Sequence, residues 1–475
     1  MPEDASPETS DADPPSPPEP DYRHSALFAA GWLLRWIPDF LLQGLCGLAG
    51  NAIYAFLPKR RRILLSNLHH AYPELGRREL KALGWQSARR VAEMGLWLLI
   101  SPHYSTAALN RRIAVAPGAL EQLQANESEG RASVLAIPHT CLMEMLTSVP
   151  TLPLGDRLPP CGVIYRSLNQ VWLDNWVRRV RERHGFKLLS RRGGFTEAVR
   201  GLKEGGMTAI LFDQHAGSGG WLTVSLGRPV SASPATGRLC RRYGARLFTA
   251  IIERDTFLRG WLRVHELPQP DSVSGGIVAV ERWLERWLQD NPDQRPDWLW
   301  MHNRWKAGLD RRRPFCLVDE EGSLAETCAQ RGWEHLPRNN RCWVLLPHNA
   351  EEVAAAAPFL LRLRESRPDC ALTIVVDAGL RQAAERELEA EDWRDFPHRA
   401  TLRTFRQWAW EFPDIVINLA SERRAARGAL VLRAPLSLGP PAPEGSLDMR
   451  LAAFFRDHGL PEVPNSSGSP GEPRI

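Results

Sequence analysis

The chain has 475 residues, 43% hydrophobic and 24% charged, with a net charge of +5. That composition excludes wholesale disorder, a collagen-like fibre and a polytopic membrane protein, and the length predicts two or three domains. The charge is unevenly placed: residues 1–22 hold seven acids and no Lys or Arg, so the remaining residues carry +12. A body this basic favours anionic partners: an anionic membrane surface, a phosphorylated substrate, an acidic carrier protein or nucleic acid. Eight scattered cysteines with no CxxC pair argue against a zinc site and a disulfide scaffold, and for reduced thiols.

Residues 1–22 are rich in Pro, Ser and acid and read as a disordered tail, without the basic start and apolar middle of a signal peptide. Residues 40–58 then run 19 positions without a charge, followed by Lys59, Arg60, Arg61 and Arg62. That length is at the threshold for a spanning helix, but Gln43, Asn51 and three glycines weaken it. A monotopic helical hairpin near 25–58, with Trp32 and Trp36 at the interface, fits as well, as does a buried helical pair. The spacing of Leu80, Leu83, Val91, Met94 and Leu98 predicts a helix over 77–100.

Strand-like and helical runs alternate after that. Strands are predicted at 133–138, 207–212 and 245–252, and helices at 171–184, 195–203, 235–243 and 277–290. This pattern predicts an α/β fold with a mixed, largely parallel sheet. Residues 307–340 are polar and irregular and read as a linker. A second, Rossmann-like unit follows over 341–440, with strands at 342–347, 370–376, near 399–404 and at 414–420, and helices at 351–365 and 380–390. The C-terminal tail, 441–475, is Pro/Gly/Ser-rich apart from a short helix at 447–458.

The sharpest chemical signal is SVLAIPHTCLME, in which a strand delivers His139 to its C-terminal end and Glu144 follows five residues on. A His beside a carboxylate is the minimum apparatus for deprotonating a hydroxyl. The spacing alone is weak, and a structural pair explains it equally well. It occurs again at His69 and Glu74, where no strand precedes it.

Three further segments accompany HTCLME in order. They are YRSLNQVWLDNWVRRVRERHG (165–185), the stretch 189–248 containing LFDQHAGSGGWLTVSLGRP, and WLERWLQDNPDQRPDWLWMHNRWK (283–306). With RRRILLSNLHHAYPEL near the start, they resemble the lipid A biosynthesis acyltransferase family, the late lauroyl/myristoyl transferases, over residues 23–306. The resemblance implies a glycerolipid-acyltransferase-like mixed sheet with N-terminal membrane-associated helices. It implies a monotopic or single-span enzyme of the inner membrane, facing the cytoplasm. Such an enzyme moves an acyl chain from acyl carrier protein to a hydroxyl of a phosphorylated glycolipid. His139 then matches the general base, Glu144 its acidic partner, and Arg166 an active-site cation. Asp213, Gln214, Arg228, His302 and Arg304 match motif positions expected to bind substrate. No metal or organic cofactor is implied, because thioester acyl transfer needs a base, an oxyanion site and positioning.

Two departures bear on specificity. Ser225 and Leu226 stand where the family usually has two aromatics, and Cys141-Leu142-Met143 where it has Gly-Asn-Trp. The same chemistry on another glycolipid or an amino lipid stays open, as does an inactive scaffold that binds lipid or carrier protein. No aromatic-interleaved basic platform supports nucleic-acid binding. Residues 341–440 resemble, more faintly, the N-terminal half of heptosyltransferases, with Glu351-Glu352 replacing the Gly-Asp after the first strand. The sugar-nucleotide half is absent, so this unit is expected to be non-catalytic.

Overall fold

The computed structural model describes residues 25–460 except 154–157, 166, 169, 191–194, 310–311, 320, 398–400, 442–443 and 445. The expected acidic tail lies outside the described residues. The chain starts with four helices: α1 (Ala26–Leu34), α2 (Asp39–Phe56), α3 (Pro58–Ala71) and α4 (Arg77–Ile100). The Ser25 hydroxyl caps α1 by accepting from the Phe28 N–H at 3.2 Å. Pro58 opens α3 at a position that needs no N–H donor, and the chain bends by 95° between α2 and α3. Among the described residues no single helix is long and apolar enough to cross a membrane, although α2 and α3 pass that test together as a bent pair. Gly50 lets α2 lie on α4, since a β-carbon there would come within 2.5 Å of the Arg89 Cα. One face of the α1–α2 arm is left bare: Trp36 is 68% exposed, Phe40 70%, Leu48 68% and Phe56 80%.

The first sheet follows. In chain order the elements are α5 (Thr106–Asn110), β1 (Ile113–Val115), α6 (Ala119–Ser128), β2 (Ser133–Ile137), β3 (Cys161–Tyr165), α7 (Val171–Glu182), β4 (Lys187–Ser190), α8 (Phe195–Lys203) and β5 (Met207–Leu211). They continue with β6 (Trp221–Ser225), β7 (Arg228–Ala232), α9 (Ala235–Tyr243), β8 (Arg246–Thr256), β9 (Arg259–Glu266), α10 (Val273–Asp290) and α11 (Ser323–Arg331). Seven strands form a sheet in the order β1-β9-β8-β2-β5-β3-β4, parallel except for the β8–β9 hairpin. The mixed, largely parallel sheet is therefore as expected. Strand β2 is buried along its whole length, as a central parallel strand must be. Strands β6 and β7 form a separate antiparallel ribbon, turned at Leu226 and Gly227, which both have positive φ.

The second unit contains β10 (Asn340–Leu345), α12 (Ala350–Ser366), β11 (Cys370–Val376), α13 (Ala378–Glu387), β12 (Asp392–Asp395), α14 (Thr401–Trp408), β13 (Ile415–Asn418), α15 (Arg423–Leu432), β14 (Leu436–Leu438) and α16 (Leu447–Asp457). Its five parallel strands run β12-β11-β10-β13-β14, reversing direction of travel at β10, which is the doubly wound pattern. Two expectations are corrected. The strand expected near 399–404 is helix α14, whose apolar residues recur at helical spacing, and the edge strand is β12 instead. The expected linker contains α11, which packs on the ribbon: the Ser323 hydroxyl donates to the Leu222 carbonyl at 2.7 Å.

The second unit is tied to the first by polar contacts across a seam. Arg228 on β7 pairs with Asp414 at 2.7 Å, and Arg341 grips the same carboxylate at 2.9 Å while also donating to Ser66 on α3 at 3.0 Å. Arg228 also donates to Asn340 at 2.7 Å. All of Arg228, Asn340 and Asp414 are buried.

Candidate active site

Strands β2 and β5 are parallel neighbours, with Ile137 in register with Leu211. His139 and Asp213 each lie two residues beyond those partners, so the sheet carries both to one point at its C-terminal edge. There the Asp213 carboxylate accepts three hydrogen bonds. One oxygen faces the His139 ring Nδ1 at 2.5 Å, and the other accepts the His139 backbone N–H at 2.8 Å and the Trp298 indole N–H at 2.6 Å. Burial alone would raise this carboxyl, but the neighbouring His139, Arg304 and the Trp298 hydrogen bond outweigh it and hold it well below the usual range. An ionised Asp213 fixes the Nδ1–H tautomer of neutral His139 and leaves the Nε2 lone pair available. Gln214 reaches that Nε2 with its side-chain nitrogen at 2.8 Å.

The segment carrying Trp298 is locked against the histidine. Leu299 N–H donates to the His139 carbonyl at 2.9 Å, Cys141 N–H donates to the Asp297 carbonyl at 2.8 Å, and Thr140 bridges to Trp298. Beneath it, Arg90 from α4 pairs with buried Asp297 at 2.6 Å. The result is an imidazole held from its backbone, its ring and its following residues.

His139 lines a cleft of about 1000 Å³. Leu45, Ala49 and Ile53 of α2 and Val91, Gly95 and Leu98 of α4 form an apolar wall, and Glu144, Arg181 and Gln214 add polar groups. A smaller apolar recess of about 90 Å³ adjoins it, lined by Leu135, Ile137, Val163, Ala209, Ala250 and Leu262. Met143, Glu144, Tyr165 and Arg181 belong to both walls and form the junction between them. Glu144 is clamped by Arg181, which donates through Nε at 2.9 Å and Nη2 at 2.5 Å. Arg181 is the one guanidinium lining the cleft among the described residues.

A histidine paired with a carboxylate beside an apolar cleft suits attack by a hydroxyl on an acyl donor. The model of the bacterial lipid A biosynthesis acyltransferase family matches residues 19–307, more than half of the chain. The chain belongs to that family. Acyl transfer in lipid A biosynthesis, with a glycolipid acceptor, is the activity that membership carries. A comparison with curated proteins finds no match. Among solved structures, the chain is similar to a glycosyl transferase of family 9 from Veillonella parvula, at 22% identity and a TM-score of 0.25. That match covers 27% of this chain and 44% of the other, so the chain spans less than half of that structure.

In this lipid A acyltransferase family member, the residues expected at the site divide into three groups. His139, Glu144 and Gln214 line the cleft, and Asp213 lies directly behind His139. The carboxylate on His139 is Asp213, however, and not Glu144, whose two oxygens are taken by Arg181. Arg228, His302 and Arg304 do not line the cleft. Arg228 is buried in the seam, paired with Asp414 and donating to Asn340. Arg304 is buried against Glu281, where its charge still reaches Asp213. His302 accepts the His215 backbone N–H at 3.0 Å and so braces the turn bearing Gln214. Burial pushes His302 down to about 4, which keeps it a neutral acceptor at neutral pH. Arg166 lies outside the described residues.

Two residues escaped sequence reasoning. Trp298 stands in a Trp-rich run (WLW) that offers no clue which indole turns inward. Arg181 is one of four arginines between 178 and 183, and only the helix phase selects it.

Proposed function

We propose that this chain transfers a fatty acyl group from an acyl carrier protein thioester to a hydroxyl of a phosphorylated glucosamine lipid, with His139 as general base. The observation that carries the reading is the carboxylate–imidazole pair opening onto an apolar cleft. His139 Nε2 removes the hydroxyl proton as the oxygen attacks the thioester carbonyl carbon, with Gln214 giving way to the acceptor. The C–S bond then breaks, and the imidazolium returns the proton to the departing sulfur. Asp213 stabilises the imidazolium without taking its proton. Arg181, with Arg166, supplies positive charge for the developing oxyanion, and Glu144 sets the direction of the Arg181 fork. The acyl chain lies along the α2–α4 wall and ends in the small recess.

The bare apolar face of α1–α2 supports association with the cytoplasmic side of the inner membrane, where the acceptor lipid resides. The basic body suits both an acidic carrier and a phosphorylated lipid. The test is to supply carrier-protein and coenzyme A thioesters in parallel to a tetra-acylated, phosphorylated glucosamine disaccharide. Mass-resolved addition of one acyl chain from the carrier-protein donor is the expected result. Addition only from coenzyme A, or none to this acceptor, refutes the assigned donor or acceptor.

A further inference from the structure

A second cleft, of about 960 Å³, opens on the seam between the two units. Six cations line it: Lys59, Arg61 and Arg62 of α3, Lys81 of α4, Arg406 of α14, and Arg433 just after α15. No carboxylate lines it, and none of the six has an ion-pair partner among the described residues. Like charges gathered this closely repel one another unless an anion sits among them. Aromatic rings hold several in place. The Arg61 guanidinium lies 5.6 Å from the Tyr54 ring centre, Arg62 lies 5.5 Å from Phe412, and the Lys81 ammonium lies 4.8 Å from Trp410. Arg62 also donates to the Leu432 carbonyl at 2.8 Å, so the cluster is fixed by both units. Burial, with Arg341 and Arg433 nearby and Asp414 opposing them, pushes the Arg62 guanidinium down to about 10.

The position of this cleft says what kind of anion it suits. It begins where α2 ends: Phe56 is 80% exposed, Leu57 is exposed, and the next residue, Pro58, lines the cleft. An apolar ridge thus runs directly into a cationic pocket. It is distinct from the catalytic cleft, although the same helices border both. On α4, Val91 faces the catalytic cleft and Trp85 the basic one, a separation of about 9 Å along the helix axis.

We propose that the seam cleft binds the phosphate of an anionic lipid whose chains lie against the exposed end of α2. The second unit, which supplies Arg406, Arg433, Trp410 and Phe412, is then the far wall of a lipid-phosphate site. Two sources share this chemistry: a phospholipid of the bilayer and the phosphorylated glycolipid.

The test is titration calorimetry on the full chain, without turnover, so its outcome is independent of the acyl-transfer reading. The probes are short-chain phosphatidic acid, inorganic phosphate and a phosphorylated glucosamine disaccharide lipid. Lys81→Ala combined with Arg406→Ala is expected to weaken phosphatidic acid binding at least tenfold. Arg241→Ala combined with Arg242→Ala, which removes the same charge from the exposed side of α9, should leave it unchanged. Equal loss in both variants, or no saturable binding, overturns the proposal. Inorganic phosphate binding as tightly as the lipid overturns its lipid half. Competition by the glycolipid identifies the glycolipid as an occupant, and phosphatidic acid binding without such competition assigns the site to bilayer phospholipid.

Discussion

Replacing Asp213 by Asn tests the histidine tautomer with almost no change of volume. One carboxylate oxygen accepts both the His139 backbone N–H and the Trp298 indole N–H, at 2.8 and 2.6 Å. In the variant the amide oxygen keeps those two donors, which are both buried. The amide nitrogen is then turned toward His139 Nδ1, where the carboxylate oxygen stood at 2.5 Å. An N–H facing Nδ1 forces the ring proton onto Nε2, and a protonated Nε2 cannot accept a proton from a hydroxyl. The expected loss is about 10⁴-fold in kcat, or ~5.5 kcal/mol of barrier. Single-turnover acyl transfer with saturating donor measures it, with circular dichroism to show that the fold persists. Glu144→Gln is the companion. It loosens the Arg181 fork, a loss of roughly 1.5–3 kcal/mol or about 10- to 100-fold, and leaves the contact of His139 with Asp213 in place. If Glu144→Gln costs about 10⁴-fold while Asp213→Asn costs less than about tenfold, the pairing of His139 with Asp213 is refuted.

Asp414→Ala strands Arg228 and Arg341 in the seam, and is expected to cost about 3–5 kcal/mol in denaturant unfolding of the full chain. Burial opposes ionisation of Asp414, but the two arginines prevail and hold it below the usual carboxylate range. Its contribution, like that of Asp213, is therefore complete above about pH 4 and is lost as pH falls below that. Asp297, pushed up to about 6 by burial, has the opposite sign, and stability falls as pH rises from about 4 to 6 on its account. Thermal melts from pH 7 to 3 on wild type and Asp414→Ala separate these contributions. Ala250→Leu fills the recess and is expected to shift donor preference to shorter chains, at ~0.8 kcal/mol per methylene excluded, in competition assays with mixed thioesters. Phe40→Asp with Leu48→Asp removes apolar contacts from the bare face of α2. Vesicle flotation is expected to fall more than tenfold, given about 1.5–3 kcal/mol for each side chain, without loss of fold.

The β/α alternation was legible because buried strands such as 133–137 are continuous apolar runs and most of the helices between them end at glycine or carry one apolar stripe. The strand expected near 399–404 shows the limit of that reading: Leu402, Phe405 and Trp408 recur every third residue, a helical spacing, and Phe405 and Trp408 pack in one cluster with residues of β13 and α15. At the site, the sequence points to both His139 and Asp213, but the nearest carboxylate it offers His139 is Glu144, five residues away. A local spacing is visible in sequence, whereas the partner 74 residues on becomes a neighbour only through the pairing of β2 with β5. Arg228 and Arg304 show the converse. Their motif positions suggested substrate, but whether an arginine faces a cleft or a buried carboxylate depends on the packing of β7 and α10.

In the proposed reaction His139, set by Asp213, deprotonates the acceptor hydroxyl during acyl transfer. The most direct measurement is the rate of acyl addition to the phosphorylated disaccharide lipid by the full chain and by His139→Ala. Transfer by the wild type and a loss of at least about 10³-fold in the variant are expected, since a positioned base and its imidazolium are both removed. Transfer at an unchanged rate by His139→Ala contradicts it.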